Sequence, residues 1–392
     1  MLSQKLGSIT PSYTIEISRR VSELIKEGKD IINFSIGEPD FNIPQKSMNA
    51  MIEALSRNAT KYDNVSGLAE LRKAIIKKLN DENNLNYDTD DIVVSNGAKH
   101  AITNSLIALL NPNDEVLVPK PYWVSYPEMI KLVGGVPVFL ETTKETSYKV
   151  TPEIISSGLS SKTKMIFLTN PSNPSGIVYS EDELMKIGNY CVEKGIYILA
   201  DEIYERITFD SPFVSIASLS ESIKDMTITI NGFSKSFAMT GLRIGYSASN
   251  KKIAKAISSI QGHLVSHPST ISQWGAAAAL NECRDEVEKM KEEYKQRRNI
   301  AVSLLDKIPQ LPYVNPQGAF YLWLDISNYK DKIVYDGSYS VAFSNELLQK
   351  GNVAVVPGIA FGEDDFIRIS YACSKDTIRE GFKRIESFLR TL

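Results

Sequence analysis

The stretch from about Asp91 to about Asn250 constrains this chain most, because short apolar, β-rich runs recur along it with helical patterning between them. The runs are Asp91–Ser95 (DIVVS), Glu115–Val118 (EVLV), Val136–Leu140 (VPVFL), Met165–Thr169 (MIFLT), Tyr197–Asp201 (YILAD), Thr227–Asn231 (TITIN) and Arg243–Ser247 (RIGYS). Most are continuous rather than alternating in polarity, as strands covered on both faces require. Helix-like segments such as Ala98–Leu110 and Glu181–Lys194 separate several of them. Strand, crossover and strand repeated this often predicts an open, mostly parallel α/β sheet wrapped by helices.

Beyond Asn250 the character changes. Lys251–Gly262 and Glu286–Leu305 read as long, charge-rich helices, and a smaller α+β unit follows with Ala319–Asp325 (AFYLWLD) and Phe366–Ser370 (FIRIS) as strands. The expected division is an N-terminal segment, residues 1–45, that joins the small domain, a large domain over 46–285 and a small C-terminal domain over 286–392. A chain of 392 residues has the length for such a layout. No Pro/Gly/Ser linker long enough to separate independent modules interrupts it.

The informative positions follow the strands, since ligands of open α/β sheets bind beyond the carboxyl ends of the strands. After DIVVS comes Asn96-Gly97-Ala98-Lys99, which opens a helix; after EVLV comes Pro119-Lys120-Pro121-Tyr122-Trp123. MIFLT is followed by NPSNPSG (Asn170–Gly176), and YILAD ends on Asp201 with Tyr204 shortly after. TITIN runs into GFSKSFAMTGLRIGY, Gly232–Tyr246. Each piece has an ordinary explanation. Gly before a helix is common, Pro and Asn punctuate loops, Asp201 fits a helix cap, Trp123 fits a core, and Lys235 alone fits a solvated surface. Five such features at five strand ends fit one site better. An anion-binding helix start, an aromatic platform, a turn, a carboxylate with a phenol, and a Ser-Lys pair suit one phosphorylated, aromatic, carbonyl-bearing ligand.

These segments resemble the fold type I enzymes that use pyridoxal 5′-phosphate (PLP), in particular class I aminotransferases of the aspartate aminotransferase kind. The resemblance runs nearly end to end, through Phe34–Phe41 (FSIGEPDF), Thr60–Arg72 (TKYDNVSGLAELR), Ser234–Tyr246 (SKSFAMTGLRIGY) and Phe366–Ser374 (FIRISYACS). Ser175 and Leu242 depart from the Thr and Trp frequent in that family. The fold implied is a large domain with a mostly parallel seven-stranded sheet plus a smaller α+β domain. The resemblance implies that Lys235 carries the cofactor covalently and then moves the proton at the substrate Cα. It implies that Asp201 keeps the pyridine nitrogen protonated, and that Tyr204 and Asn173 hydrogen-bond the phenolic oxygen. Gly97, Ala98, Ser234 and Arg243 would hold the phosphate, and Trp123 would stack on the ring. Arg368 would pair with the substrate α-carboxylate, with the Gly37 backbone close by. Tyr62 would reach the phosphate of a neighbouring subunit, making a homodimer with shared active sites.

The implied reaction exchanges an amino group between an amino acid and a 2-oxo acid by a ping-pong route. Lys99 directs the choice of substrate, because the matching lysine in similar chains meets the distal carboxylate of a dicarboxylic substrate. As an isolated residue it is a first-turn lysine, somewhat disfavoured at a helix start. Aspartate with 2-oxoglutarate is the leading pair; aromatic amino acids, prephenate and alanine stay open, as does a related PLP lyase on the same fold.

Other function classes fit poorly. The balance of 44 basic against 47 acidic residues offers no polyanion surface, and no helix-turn-helix pattern precedes FSIGEPDF. The phosphate loops of kinases and dehydrogenases, GxxxxGK[ST] and GxGxxG, are absent. His263 and His267 lie one helical turn apart with no Cys or HExxH context, so no metal is expected. Cys191, Cys283 and Cys373 make no paired spacing, and no signal-like or bilayer-length apolar run is present, so a cytoplasmic enzyme without a membrane partner is expected.

Overall fold

The computed structural model describes residues 7, 9–10 and 13–392. All seven apolar runs become strands of one sheet. In spatial order they are Ile92–Ser95, Gly245–Ala248, Thr227–Gly232, Tyr197–Asp201, Thr163–Thr169, Glu115–Pro119 and Val136–Leu140. Gly245–Ala248 runs antiparallel to both of its neighbours, and the other pairings are parallel. Every residue of Thr227–Gly232 and of Ile92–Ser95 is buried, which explains their unbroken apolar character. Ile228 is fully buried within one of the apolar layers packed on this sheet, and its replacement by Ala is expected to cost about 2–5 kcal/mol.

Two strands begin later than the sequence suggests, for a backbone reason. Arg243 has φ 54° and Ala319 has φ 56°, both left-handed, so pairing starts at Gly245 and Tyr321. One helix escapes the pattern altogether. Thr270–Glu282 is buried through its central alanines and carries no polar stripe. It packs on the helix Gln45–Ser56, where Ser47 Oγ donates to the Gly275 carbonyl at 2.8 Å. A side chain at Gly275 would place its Cβ 2.6 Å from Met51 Cγ, so glycine permits this close approach.

The helix Glu181–Lys194 begins with a capping box between Ser180 and Glu183 and ends on left-handed Gly195. The helix Ala98–Leu109 begins differently: its cap, Gly97, has φ 83° and ψ 164° and supplies no side-chain acceptor. Its first amides therefore stay available at the carboxyl edge of the sheet.

A second, four-stranded antiparallel sheet takes the order Val356–Pro357, Phe366–Ser370, Tyr321–Asp325, Tyr313–Val314. The 22-residue helix Arg284–Leu305 and the helix Lys375–Leu389 cover it. Near the N-terminus, Ile32–Asn33 pairs in parallel with Val353–Ala354. One apolar cluster joins Ile203, Tyr204 and Ile207, just past the strand Tyr197–Asp201, to Phe320, Leu322 and Ile367 of the smaller sheet. The two sheets are thereby held against each other around the carboxyl ends of the large one. Among the described residues no helix is long and apolar enough to cross a membrane.

Candidate active site

A cavity of about 720 Å³ lies where the two sheets meet, and Lys235, Asp201 and Arg368 all face it. Lys235 follows the strand Thr227–Gly232, and its Nζ donates to the Gly37 carbonyl at 2.6 Å. Enclosure of the amine lowers its pKa to about 8; the positive charges of Arg368 and Arg243 act the same way, while Glu38 and Asp201 partly hold it up. Asp201 ends the neighbouring strand. It is buried, and desolvation raises its carboxyl above the usual carboxylate range against the opposing effect of its hydrogen bonds. Oδ2 accepts from the Tyr126 phenol at 2.7 Å and Oδ1 from the Ile203 amide at 3.3 Å.

Arg368, on the central strand Phe366–Ser370, is buried against the aromatic faces of Tyr321 and Phe361, 4.4 and 5.0 Å from the ring centroids. Its Nη2 donates to the Ser35 carbonyl at 3.0 Å and its Nη1 to Asn173 Oδ1 at 3.1 Å, while Nε has no partner among the described residues. A buried guanidinium with an open donor and, among the described residues, no carboxylate beside it is suited to an anionic ligand. Gly37 adjoins it: a Cβ there would stand 2.9 Å from Tyr321 Oη and 3.8 Å from Arg368 Nη2. Tyr204 Oη meets Tyr321 Oη at 2.8 Å, and burial raises its phenol well above the ordinary tyrosine value.

At the helix start the Gly97 amide donates to the Ser95 carbonyl at 2.7 Å, while Ala98 presents its amide to the cavity that Ser234 also lines. The left-handed Arg243 turns its guanidinium onto Gly97, so closely that a Cβ on Gly97 would meet Nη2 at 2.4 Å. The only carbonyl bonded to that guanidinium among the described residues is Thr240 O, at 2.8 Å. A free amide, a helix dipole, a hydroxyl and an arginine with no carboxylate partner among the described residues can together hold an anion such as phosphate. Lys99, one residue further, points its Nζ over the Trp123 ring at 4.8 Å, and burial followed by the charge of Arg243 lowers its pKa.

Tyr62 is not brought to this cavity. It is 89% exposed and sits edge-on to His267, 5.8 Å between ring centroids, along a different cleft. His267 itself is engaged, accepting from the Asp63 amide at 3.1 Å and contacting the Pro268 carbonyl at 2.7 Å.

Several participants escaped the sequence reading. Ser35 acts through a backbone carbonyl, which leaves no side-chain trace. Tyr321 reads as one more aromatic of a core strand, yet a buried phenol needs a hydrogen-bond partner, and that need is the signal. Arg297 looks like part of a solvated charged helix. It forks onto Asp40 at 2.7 and 3.0 Å and lies 5.0 Å from the Phe41 ring centroid, fixing the loop that carries Ser35 and Gly37.

Comparison with known proteins agrees with this geometry. The family model described as aminotransferase class I and II matches residues 29–385. The chain is 43% identical to an aspartate aminotransferase of Bacillus sp. (strain YM-2), covering 100% of this chain and 99% of the relative. It is also 43% identical, with the same coverage, to a probable aspartate/prephenate aminotransferase of Aquifex aeolicus. Among solved structures, aspartate aminotransferase from Thermus thermophilus with maleate superposes with a TM-score of 0.93 at 35% identity, covering 99% of each chain. A full-length match in sequence, the same sheets in space and a lysine, carboxylate and arginine around one cavity lead to one conclusion: the chain belongs to the class I and II aminotransferases.

Proposed function

We propose that the protein transfers an amino group between aspartate and 2-oxoglutarate, with pyridoxal 5′-phosphate as its cofactor. The observation that carries the reading is the meeting of Lys235, Asp201, Arg368 and the Gly97–Arg243 cradle on one cavity. These residues fit the cofactor: an enclosed amine, a buried carboxylate, and the open Ala98 amide beside the Arg243 guanidinium, neither charged group having an oppositely charged side chain in contact among the described residues. When bound, the cofactor supplies a ring that takes up the electrons released as the substrate Cα–H bond breaks. Lys235 moves the proton at the substrate Cα, and its lowered pKa favours the neutral amine that this role needs. Asp201 holds the proton at the ring nitrogen, and Ser234, Ala98 and Arg243 bind the phosphate. Arg368 orients the α-carboxylate through its open edge, and Asn173 fixes the guanidinium. Trp123 and Tyr204 wall the reacting centre from water.

The dicarboxylic substrate rests on Lys99, whose amine stands at the Trp123 face of the cavity with no carboxylate partner among the described residues. The relatives named for aspartate, and the similar Thermus structure with the dicarboxylate maleate, support the same reading. The exposed Tyr62, together with the exposed apolar Ile52, Leu55 and Leu264, supports a homodimer in which Tyr62 serves the other subunit's phosphate. All three cysteines are free, which suits the cytoplasm, and a division of the chain near residue 285 completes the layout.

The test is a substrate panel on purified protein with added PLP, following absorbance in each half-reaction. Aspartate and then 2-oxoglutarate should interconvert the two cofactor forms fastest. Prephenate as the better oxo-acid partner would shift the assignment towards that of the Aquifex relative.

A further inference from the structure

Asp201 does not reach the cavity alone. The Tyr126 ring stacks on Phe167, 4.2 Å between centroids and 25° between planes, and meets Trp123 edge-on at 5.3 Å. This packing aims the phenol at Asp201 Oδ2, 2.7 Å away, with Thr169 Oγ1 at 2.8 Å on the other side. A phenol has a single proton, so when it donates to the ionised carboxylate the Thr169 hydroxyl must donate to it. The result is a directed chain, Thr169 to Tyr126 to Asp201, on a buried acid whose only other donor in contact among the described residues is an amide at 3.3 Å.

We propose that Tyr126, oriented by Thr169, is a positioning residue that keeps Asp201 ionised and aimed so that it can hold a proton on the ring nitrogen of the bound cofactor. The proposal rests on the PLP reading above. Burial alone drives Asp201 towards its neutral form. A neutral acid still forms a hydrogen bond to a pyridine nitrogen but no longer stabilises its protonated state. The Tyr126 phenol supplies a charge-assisted bond, shorter and stronger than a neutral one, to the carboxylate. Tyr126 transfers no proton itself; it acts through Asp201.

The experiment compares Tyr126→Phe with wild type for equilibrium affinity towards PLP and towards the analogue that has carbon in place of the ring nitrogen. Phenylalanine keeps the stacking on Phe167 and loses only the donor. The ratio of the two affinities is expected to fall ~10-fold or more in Tyr126→Phe, chiefly through weaker PLP binding. Thr169→Val, which keeps the phenol and removes its orienting donor, should lower the ratio by ~2- to 5-fold, and it carries the test if Tyr126→Phe does not fold. Equal losses for both ligands, or an unchanged ratio, would overturn the proposal and leave Tyr126 a packing residue. A wild-type protein that binds neither compound would overturn the PLP reading instead, so the two failures are distinguishable.

Discussion

Asn173 Oδ1 accepts a hydrogen bond from Arg368 Nη1 at 3.1 Å, across 195 positions of sequence. The bond ties the loop after one strand of the large sheet to the middle strand of the small sheet, and with the Ser35 carbonyl it fixes the guanidinium plane. Arg368→Lys keeps the charge but cannot satisfy Ser35, Asn173 and a carboxylate in one plane. Steady-state kinetics should show catalytic efficiency falling ~100-fold or more, about 2.7 kcal/mol, for every amino acid tested. A loss confined to dicarboxylic substrates would move the α-carboxylate away from Arg368.

The proposed role of Lys99 is to separate substrates rather than reactions. Lys99→Ala is expected to lower catalytic efficiency for aspartate by ~10- to 100-fold, about 1.5–3 kcal/mol for one charge-assisted bond, and to leave a neutral amino acid much less affected. Equal losses on both would remove Lys99 from specificity.

The Lys235 amine of the cofactor-free protein should titrate near 8 rather than at the usual lysine value. Below 8 the folded and unfolded chains both carry the proton. From about 8 to 10.5 the folded protein has released it while the unfolded chain retains it, so this group favours folding increasingly as pH rises through that window. Reductive methylation at Lys235, followed by mass spectrometry across pH, should show a midpoint near 8. A midpoint at the ordinary value of 10.5 would show that the amine is not enclosed.

Gly97 combines a backbone conformation nearly reserved for glycine with a guanidinium where its Cβ would lie. Gly97→Ala should destabilise the fold by about 1–3 kcal/mol and, by displacing Arg243, weaken PLP binding by ~10-fold or more. Calorimetry and cofactor titration measure the two effects. Weakened folding with intact cofactor affinity would show that the cradle does not carry the phosphate.

The large sheet was legible because its strands are buried on both faces and therefore read as unbroken apolar runs. The strand ends were legible because Gly97, Asn173, Asp201 and Lys235 each break such a run. What escaped notice was hidden by its physics. Arg243 and Ala319 have left-handed backbones inside strand-like sequence, so both strands start late. The helix Thr270–Glu282 is apolar on nearly all sides and lacks the period that betrays a surface helix. Tyr126 and Tyr321 contribute through single hydroxyls on rings that otherwise look like core, and Ser35 through a carbonyl that every residue possesses. Tyr62 was legible only through resemblance, and within one chain it stands apart from the cavity.

The central claim is that Lys235 is the residue joined to the cofactor. Purified protein incubated with PLP, reduced with borohydride and digested should yield one peptide carrying the cofactor mass, with the label on Lys235. Label on another lysine, or a colourless protein that takes up no cofactor, would contradict the account.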